Sequence, residues 1–140
     1  MPDEHAITNS ESTRQELLDL THRILEAIHS GDHDTYKSLC SPDLSCFETD
    51  VSPYRIDGID FHLGLIQEMH DRKIYDGLVR FDILTPLVQI YDKTAIVSYT
   101  RLMTYRTELA PIFRSFNETR VFAGFEDGWK MVHFHRSEGA

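Results

Sequence analysis

The stretch SFNETRVFAGFEDGWKMVHFHRS, residues 115–137, predicts two antiparallel strands joined by a tight turn. Both arms are rich in the β-branched and aromatic residues that strands favour, and the EDG segment between them is typical of a hairpin turn. Because side chains alternate along a strand, one face of the second arm is predicted to carry Val132, Phe134 and Arg136. An otherwise apolar face therefore ends in an arginine, which needs a physical explanation.

The other face of the second arm is predicted to carry Met131, His133 and His135. Two histidines at this spacing on a strand could share a metal ion, but no third ligand stands at an informative distance along the sequence. We therefore predict no metal site. The face is better explained as a surface that packs against another subunit, and these three residues form the predicted interface.

Upstream of the hairpin, two long runs have the same strand-like composition. LVRFDILTPLVQIY, residues 78–91, and KTAIVSYTRLMTYR, residues 93–106, are predicted to be strands joined at the IYDKTA turn. LSCFET, residues 44–49, is predicted to be a shorter strand. The second half of the chain is therefore mainly antiparallel sheet.

The first half of the chain has helical periodicity. Thr13 and Glu16 form a capping box at the predicted start of a first helix, and Gly31 is placed to end it. A short second helix is predicted for residues 32–40, and a third for residues 58–73. The apolar stripe of the first helix consists of Leu17, Leu20, Ile24 and Ile28.

Helices followed by antiparallel strands predict an α+β fold, with a curved antiparallel sheet wrapped around the N-terminal helices. A chain of 140 residues is one ordinary domain with a single core. Residues 1–12 lack apolar periodicity, so we predict a flexible N-terminal tail there. A single domain is predicted over residues 13–140.

Composition argues against several classes of partner. The formal net charge is −9, with 23 acidic against 14 basic residues, whereas a nucleic-acid groove needs an excess of basic residues. No apolar run approaches the roughly 18 residues that span a bilayer, so no membrane partner is predicted. The polar, acidic N-terminus is unlike a signal peptide. The expected location is cytoplasmic.

The two cysteines, Cys40 and Cys46, lack the CxxC spacing of a redox or metal motif. Cysteine usage favours two reduced thiols that are packed in the core. A disulfide or a reactive pair is the alternative.

Three arginines are predicted to lie on apolar strand faces. If the hairpin pairs residues symmetrically about its turn, Arg120 lies near Phe134 and Arg136 lies near Glu118. Arg101 could join them from the neighbouring strand. The predicted face of that strand consists of Ala95, Val97, Tyr99, Arg101 and Met103.

A single arginine at a strand end usually extends to water or pairs with an acid such as Glu118. Three together repel one another, since two unit charges about 7 Å apart cost roughly 2 kcal/mol at an effective dielectric of about 20. The planar guanidinium matches a carboxylate or phosphate. We therefore hypothesise a cavity that accepts a small anion, and His62 on the third helix could face the same core.

The chain contains the segments EAIHSGDHDTYKSLCSPDLSCFE, GIDFH, YTRLMTY, ETRVF and DGWKMVHFHRS in this order. Together they resemble the association (hub) domain of calcium/calmodulin-dependent protein kinase II, with similarity from Thr13 to Gly139. That domain belongs to the nuclear transport factor 2-like superfamily. Its members are cone-shaped and consist of a curved antiparallel sheet with helices.

The resemblance implies self-association, because in the kinase this domain assembles subunits into rings built from dimers that meet through sheet faces. The chain is therefore expected to be a homodimer or a higher ring-like oligomer. The resemblance also implies a pocket for a small carboxylate ligand. Its expected binding residues are His62, Arg101, Arg120 and Arg136.

The sequence departs from the kinase in several respects. It has no glycine-rich nucleotide loop, HRD-like catalytic loop or DFG motif, so a free-standing hub without kinase activity or calmodulin binding is expected. The helix after DFH continues as LGLIQEMHDRK and lacks the family's aromatic residues. The TELAPIFRS loop also differs. These departures leave the preferred ligand open.

The alternative function is a small-molecule enzyme, since the same cone-shaped fold includes isomerases, dehydratases and cyclases. Asp60, His62 and Tyr99 could supply a general acid or base, but their spacing matches no recognisable catalytic set. A purely structural subunit with an empty pocket is a third possibility. No cofactor is predicted.

Overall fold

The computed structural model describes the backbone of residues 4–139 and the side chains of residues 10–139. Within this range, three helices and six strands follow one another along the chain. The elements are α1 (Glu4–Ser30), α2 (His33–Leu39), β1 (Cys40–Glu48), β2 (Ile56–Asp57), α3 (Ile59–Asp71), β3 (Leu78–Tyr91), β4 (Thr94–Tyr105), β5 (Ile112–Phe125) and β6 (Gly128–Glu138).

The strands form one curved, open sheet in the order β2-β1-β6-β5-β4-β3. Neighbouring strands are antiparallel except for β1 and β6, which are parallel. Helix α1 packs on β3 and β4, whereas α2 and α3 pack on β1. The predicted α+β fold is confirmed, and the structure adds one parallel pair to the predicted antiparallel sheet.

Helix α1 buries its predicted apolar stripe against the sheet, and Leu17 and Ile24 are fully buried. It begins at Glu4, so Thr13 lies inside the helix rather than at its first turn. Residues 4–12 contain neither proline nor glycine, the residues that most strongly oppose a helix, which explains the earlier start. The flexibility of residues 1–12 stays a prediction.

A glycine ends α1 as predicted. Gly31 has a φ of 72°, and a Cβ at this position would stand 2.6 Å from the Nδ1 atom of His70 in α3. Only glycine fits both the left-handed backbone and this close approach. Asp32 then caps α2, because its Oδ1 accepts a hydrogen bond of 3.1 Å from the backbone N–H of Thr35. The two helices are thus joined within a single turn.

The β5–β6 hairpin has the predicted register at its open end. Glu118 lies opposite Arg136, and Arg120 lies opposite Phe134. The same alternation in β4 buries Tyr99 and its neighbours two residues apart along the strand. All three arginines therefore reach the interior face of the sheet, where the helices pack.

A β-bulge interrupts the alternation of β6 closer to the turn. His133 lies opposite Val121, whereas Met131 lies opposite Phe122, so Val132 is an additional residue on its strand. Met131 consequently faces the core and has an exposed fraction of 0%. Its place in the predicted interface is therefore corrected. Counting every second residue along the strand could not reveal the bulge.

Candidate functional site

The three predicted arginines are all buried on the interior face of the sheet. Arg101 on β4 and Arg120 on β5 each have an exposed fraction of 1%, and Arg136 on β6 has one of 8%. A buried cation is tolerated only where acids and hydrogen-bond acceptors compensate it. The partners of each arginine therefore decide which of them can meet a ligand.

Glu118 compensates two of the arginines. Its Oε2 lies 2.9 Å from Nη2 of Arg101, and its Oε1 lies 3.4 Å from Nη2 of Arg120. The Tyr99 hydroxyl donates to Glu118 Oε1 at 2.6 Å and accepts from Arg120 Nε at 2.8 Å. Burial alone would raise the pKa of Glu118, but Arg120, Arg101 and the Tyr99 hydroxyl together hold it below its ordinary value.

Arg136 is compensated by two acids from the end of β1 and the following turn. Its Nη2 lies 3.1 Å from Glu48 Oε2 and 3.0 Å from Asp50 Oδ2. Burial raises the pKa of Glu48 above its ordinary value although Arg136 acts in the opposite direction. Neither acid was singled out from the sequence, because each lies more than 80 residues from Arg136 in the chain.

A cavity of about 340 Å³ lies between α3 and strands β4 to β6. Arg101 and Arg136 line it, together with Arg114. Their guanidinium carbons stand 5.1, 5.2 and 5.2 Å from the centre of the Phe116 ring. The Nε–H groups of Arg101 and Arg136 are buried and have no hydrogen-bond partner within the described residues. The cavity is therefore lined by guanidinium groups, two of which also have a buried Nε–H without a partner among the described residues.

Arg114 and Phe116 are the members of this site that the sequence reasoning missed. Both lie on β5: Phe116 in the predicted first arm of the hairpin, and Arg114 in the loop predicted before it. Arg114 is half exposed and pairs with Glu138 at 3.0 Å. Its two-residue spacing from Phe116 was the available signal, since it places both side chains on one face.

His62 and Arg120 lie apart from this cavity. They line a second, much smaller cavity of about 20 Å³, together with Glu48 and Phe134. Arg136 lines both cavities. The four predicted ligand-binding residues are therefore divided between two spaces, and Arg120 is already engaged by Glu118 and Tyr99.

His62 occupies the first turn of α3 and is buried. Its Nε2 lies 3.3 Å from Cys46 Sγ, and its Nδ1 lies 3.5 Å from Glu48 Oε1. Burial, with the nearby Arg120 and Arg136, lowers the pKa of His62 to about 4. The imidazole is therefore neutral around neutral pH.

His29 at the end of α1 belongs to the same charged layer. Its Nε2 accepts a hydrogen bond of 3.0 Å from Arg101 Nη1. Burial and the adjacent Arg101 lower the pKa of His29 to about 3. The sequence reasoning did not select this histidine, although it follows the apolar Ile28 directly at the predicted helix end.

The outward face of β1 and β6 carries an aromatic group. The Phe47 ring centre lies 5.8 Å from that of His133 and 5.7 Å from that of His135. Ser45 Oγ lies 2.8 Å from His133 Nδ1. Phe47 is 39% exposed. The two histidines are thus on an accessible surface, and Phe47 is the neighbour that sequence reasoning missed.

Both cysteines are free and buried. Burial raises the pKa of Cys40 to about 12, and burial with the adjacent Glu48 raises that of Cys46. The preferred prediction of two reduced, packed thiols is confirmed.

The residues considered for an enzyme have different surroundings. Tyr99 is hydrogen-bonded to Glu118, whereas Asp60 is exposed in the first turn of α3.

Among the helices in the described part of the chain, none is both long and apolar enough to cross a membrane.

Comparisons with known proteins agree with this geometry. Residues 13–140 match the model of the "Calcium/calmodulin dependent protein kinase II association domain" family. The chain is 34% identical over 134 residues to the calcium/calmodulin-dependent protein kinase type II alpha chain of Drosophila melanogaster. This match covers 94% of the chain and 25% of the relative. The chain thus spans about a quarter of the length of the curated relatives it matches.

Solved structures show the same architecture. The kinase II hub of S. rosetta has a TM-score of 0.75 and 31% identity, covering 89% of this chain and 95% of that one. The association domain of the C. elegans kinase has a TM-score of 0.77 and 29% identity, covering 91% and 96%. A nuclear transport factor 2-like protein from Cytophaga hutchinsonii has a TM-score of 0.71 and 16% identity, covering 90% of this chain and 98% of that one. At this identity the likeness shows the fold alone. The resemblance inferred from the sequence is confirmed, and the chain belongs to the calcium/calmodulin-dependent protein kinase II association domain family.

Proposed function

We propose that this chain is a self-associating hub module whose larger cavity binds a small carboxylate. The observation that carries the ligand proposal is the excess of guanidinium groups around the larger cavity. A guanidinium can donate two parallel hydrogen bonds to a carboxylate, and a bound anion would offset the repulsion between neighbouring arginines. The binding residues proposed here are Arg101, Arg114 and Arg136.

The charge of the cavity supports an anionic ligand. Four arginines line it (Arg72, Arg101, Arg114 and Arg136) against two acids, Asp50 and Glu68. The volume of about 340 Å³ lies at the lower end of the range for small-molecule sites, roughly 300 to 1,000 Å³. Phe116 supplies an apolar wall beneath the guanidinium groups. A short carboxylate with an apolar part fits these properties.

His62 and Arg120 have a different role in this proposal. Arg120 is held by Glu118 and Tyr99, so it supports the layer of charge behind the cavity. His62 lines only the smaller space. Neither is proposed to touch the carboxylate.

Self-association is supported by the family and by the outward face of β1 and β6. The relatives with solved structures are described as a hub and an association domain. In this chain, Phe47, His133 and His135 offer an exposed aromatic surface on that face. We propose that at least a homodimer forms there, with an interface of roughly 1,200 Å² or more, as stable interfaces have.

The native mass tests the hub proposal. Light scattering at micromolar concentration should give at least twice the chain mass of 16.3 kDa, and a higher multiple would indicate a ring. A mass of one chain across this concentration range would overturn the proposal. The measurement needs no ligand, so it is independent of the cavity.

Calorimetric titration tests the ligand proposal. Butyrate should bind with saturation, whereas butyramide, which has the same shape without the charge, should not. Arg55→Ala should bind butyrate as tightly as the wild type, because Arg55 is an exposed arginine that pairs with Asp57 away from the cavity. It is the control for Arg114→Ala, which removes an arginine of the cavity. The carboxylate site would be overturned if butyrate and butyramide bound equally. It would also be overturned if neither butyrate nor any longer or branched short-chain acid bound.

A further inference from the structure

Cys46, Glu48 and His62 form a buried cluster of metal-binding side chains. Alternation along β1 places Cys46 and Glu48 on its interior face, and the first turn of α3 places His62 opposite them. Their exposed fractions are 0%, 4% and 2%. One potential ligand atom from each residue lies within 4.8 Å of the others. The proposed carboxylate site uses none of these three side chains.

Two of the three distances are close to those around a tetrahedral ion. Ligand atoms at about 2.0 to 2.3 Å from zinc stand about 3.4 to 3.6 Å from one another. Cys46 Sγ lies 3.3 Å from His62 Nε2 and 3.7 Å from Glu48 Oε1. Glu48 Oε1 lies 3.5 Å from the other ring nitrogen, His62 Nδ1, so a reorientation of the imidazole would let Nε2 face an ion between Sγ and Oε1.

The charges around the cluster allow a divalent ion. A thiolate from Cys46 would offset one of its two positive charges, and Glu48 would be shared between the ion and Arg136. The ion, the thiolate, the three arginines and the acids Glu48, Asp50 and Glu118 would then carry one net positive charge. The nearest arginines have other acids as partners, since Arg136 contacts Asp50 and Arg120 contacts Glu118. Arg136 also contacts Oε2 of Glu48 at 3.1 Å, which leaves Oε1 directed toward the cluster. Such an outer hydrogen bond orients a metal-binding carboxylate.

The smaller cavity supplies room for a fourth ligand. Its volume of about 20 Å³ exceeds the roughly 10 to 15 Å³ that one water molecule needs. Glu48 and His62 line it directly. It shares Leu65, Met69 and Arg136 with the larger cavity, so movement of these side chains would give an ion a path inward.

We propose that Cys46 Sγ, Glu48 Oε1 and His62 Nε2 bind a thiophilic divalent ion of the zinc class, with water as the fourth ligand. Binding releases the thiol proton to solvent, and the ion then holds the thiolate. No sequence pattern indicates this site, because the three residues follow no known metal-binding spacing.

Cobalt binding tests the proposal. The full chain, freed of metal with a chelator and kept reduced, is titrated with Co²⁺. One equivalent should produce the thiolate-to-cobalt charge-transfer absorption of a sulfur ligand together with the visible bands of a tetrahedral site. Zn²⁺ should abolish both. Cobalt bound without the sulfur absorption is an adventitious ion on surface histidines and overturns the proposal.

Paired variants identify the sulfur. Cys46→Ala should abolish the charge-transfer absorption, and Cys40→Ala should retain it, since both remove a buried free thiol from β1. His62→Gln should weaken cobalt binding at least 10-fold, whereas His33→Ala, which replaces a partly exposed histidine outside the proposed interface, should leave it unchanged. A Cys46→Ala protein that keeps the absorption, or a Cys40→Ala protein that loses it, overturns the assignment.

X-ray absorption of the zinc-loaded wild-type chain keeps the test decisive if a buried variant does not fold. One sulfur should appear at about 2.3 Å, with nitrogen and oxygen at about 2.0 to 2.2 Å. A zinc shell without sulfur overturns the proposal. None of these measurements involves a carboxylate ligand or the oligomeric state, so their outcome is independent of the proposed hub function.

Discussion

Glu118 and Arg136 lie opposite each other in the β5–β6 ladder, yet each forms its ion pairs elsewhere. The carboxylate of Glu118 compensates Arg101 and Arg120, whereas Arg136 pairs with Glu48 and Asp50. With all acids ionised, the first group has one excess positive charge and the second has one excess negative charge. The two groups together are neutral, which explains how three arginines can be buried on one sheet face.

Replacing Glu118 with glutamine should strongly destabilise the fold. Arg101 and Arg120 would lose the carboxylate that compensates both of them. Removing one partner of a buried ion pair costs about 3 to 5 kcal/mol, because the other charge stays buried without compensation. The measurement is the free energy of unfolding from urea denaturation at a fixed chain concentration, because association also affects apparent stability.

The matched control for this change is Glu138→Gln. Glu138 pairs with Arg114 on the surface, where both side chains are at least half exposed, so its loss should cost less than about 1 kcal/mol. Equal costs for the two glutamine variants would show that Glu118 does not hold the buried arginines.

Local periodicity predicted the parts of the site that lie within single strands. Two-residue alternation placed Arg101, Arg120 and Arg136 inside, and the symmetric hairpin placed Glu118 opposite Arg136. It failed where a bulge shifted the alternation, so that Met131 turned inward.

Contacts between distant elements were beyond the reach of such reasoning. Arg136 meets Glu48 across a parallel strand pair, and Arg101 meets His29 from a helix end 72 residues earlier. Neither contact follows from the spacing of residues in one element. The resemblance to the kinase association domain added the cone-shaped superfamily and the expected carboxylate-binding role of residues that the strand pattern had already indicated. It did not predict that the arginines would be divided between two cavities.

The His29→Gln protein should lose less stability than the wild type when the pH is lowered. The pKa of His29 is about 3 in the folded chain and ordinarily 6.5, so the unfolded chain binds a proton between these values and the folded chain does not. Stability from neutral His29 is present above pH 6.5 and is lost as pH falls toward 3, by about 1.4 kcal/mol per pH unit.

The comparison is made between pH 7.5 and 4.5 by urea denaturation. Wild-type protein should lose about 2 to 3 kcal/mol more than His29→Gln, whose amide can still accept from Arg101. Because Glu118, Arg101 and Arg120 also act on His29 and are retained in the variant, the difference isolates the imidazole. Parallel profiles for wild type and His29→Gln would contradict the prediction.

Substitutions on the outward face should weaken self-association. Phe47→Asp and His133→Glu each introduce a charge into the proposed interface, where an unpaired buried charge costs roughly 3 kcal/mol or more, about 100-fold in the dissociation constant. Sedimentation velocity over a dilution series measures the change. Leu109→Asp is the control, since Leu109 is 98% exposed in the loop between β4 and β5. If only Leu109→Asp dissociates the assembly, the interface lies elsewhere.

Arg114→Ala should weaken carboxylate binding without lowering stability. Arg114 is half exposed and its pair with Glu138 lies at the surface, so its removal should change the free energy of unfolding by less than about 1 kcal/mol. A hydrogen bond to a charged group contributes about 1.5 to 3 kcal/mol, so butyrate affinity should fall roughly 10- to 100-fold.

Arg120→Met should show the opposite pattern, with a large loss of stability because Arg120 is buried between Glu118 and Tyr99. Calorimetry at a temperature where both variants remain folded measures affinity, and urea denaturation measures stability. An Arg114→Ala protein with wild-type butyrate affinity would remove Arg114 from the site and leave only Arg101 and Arg136 as candidates.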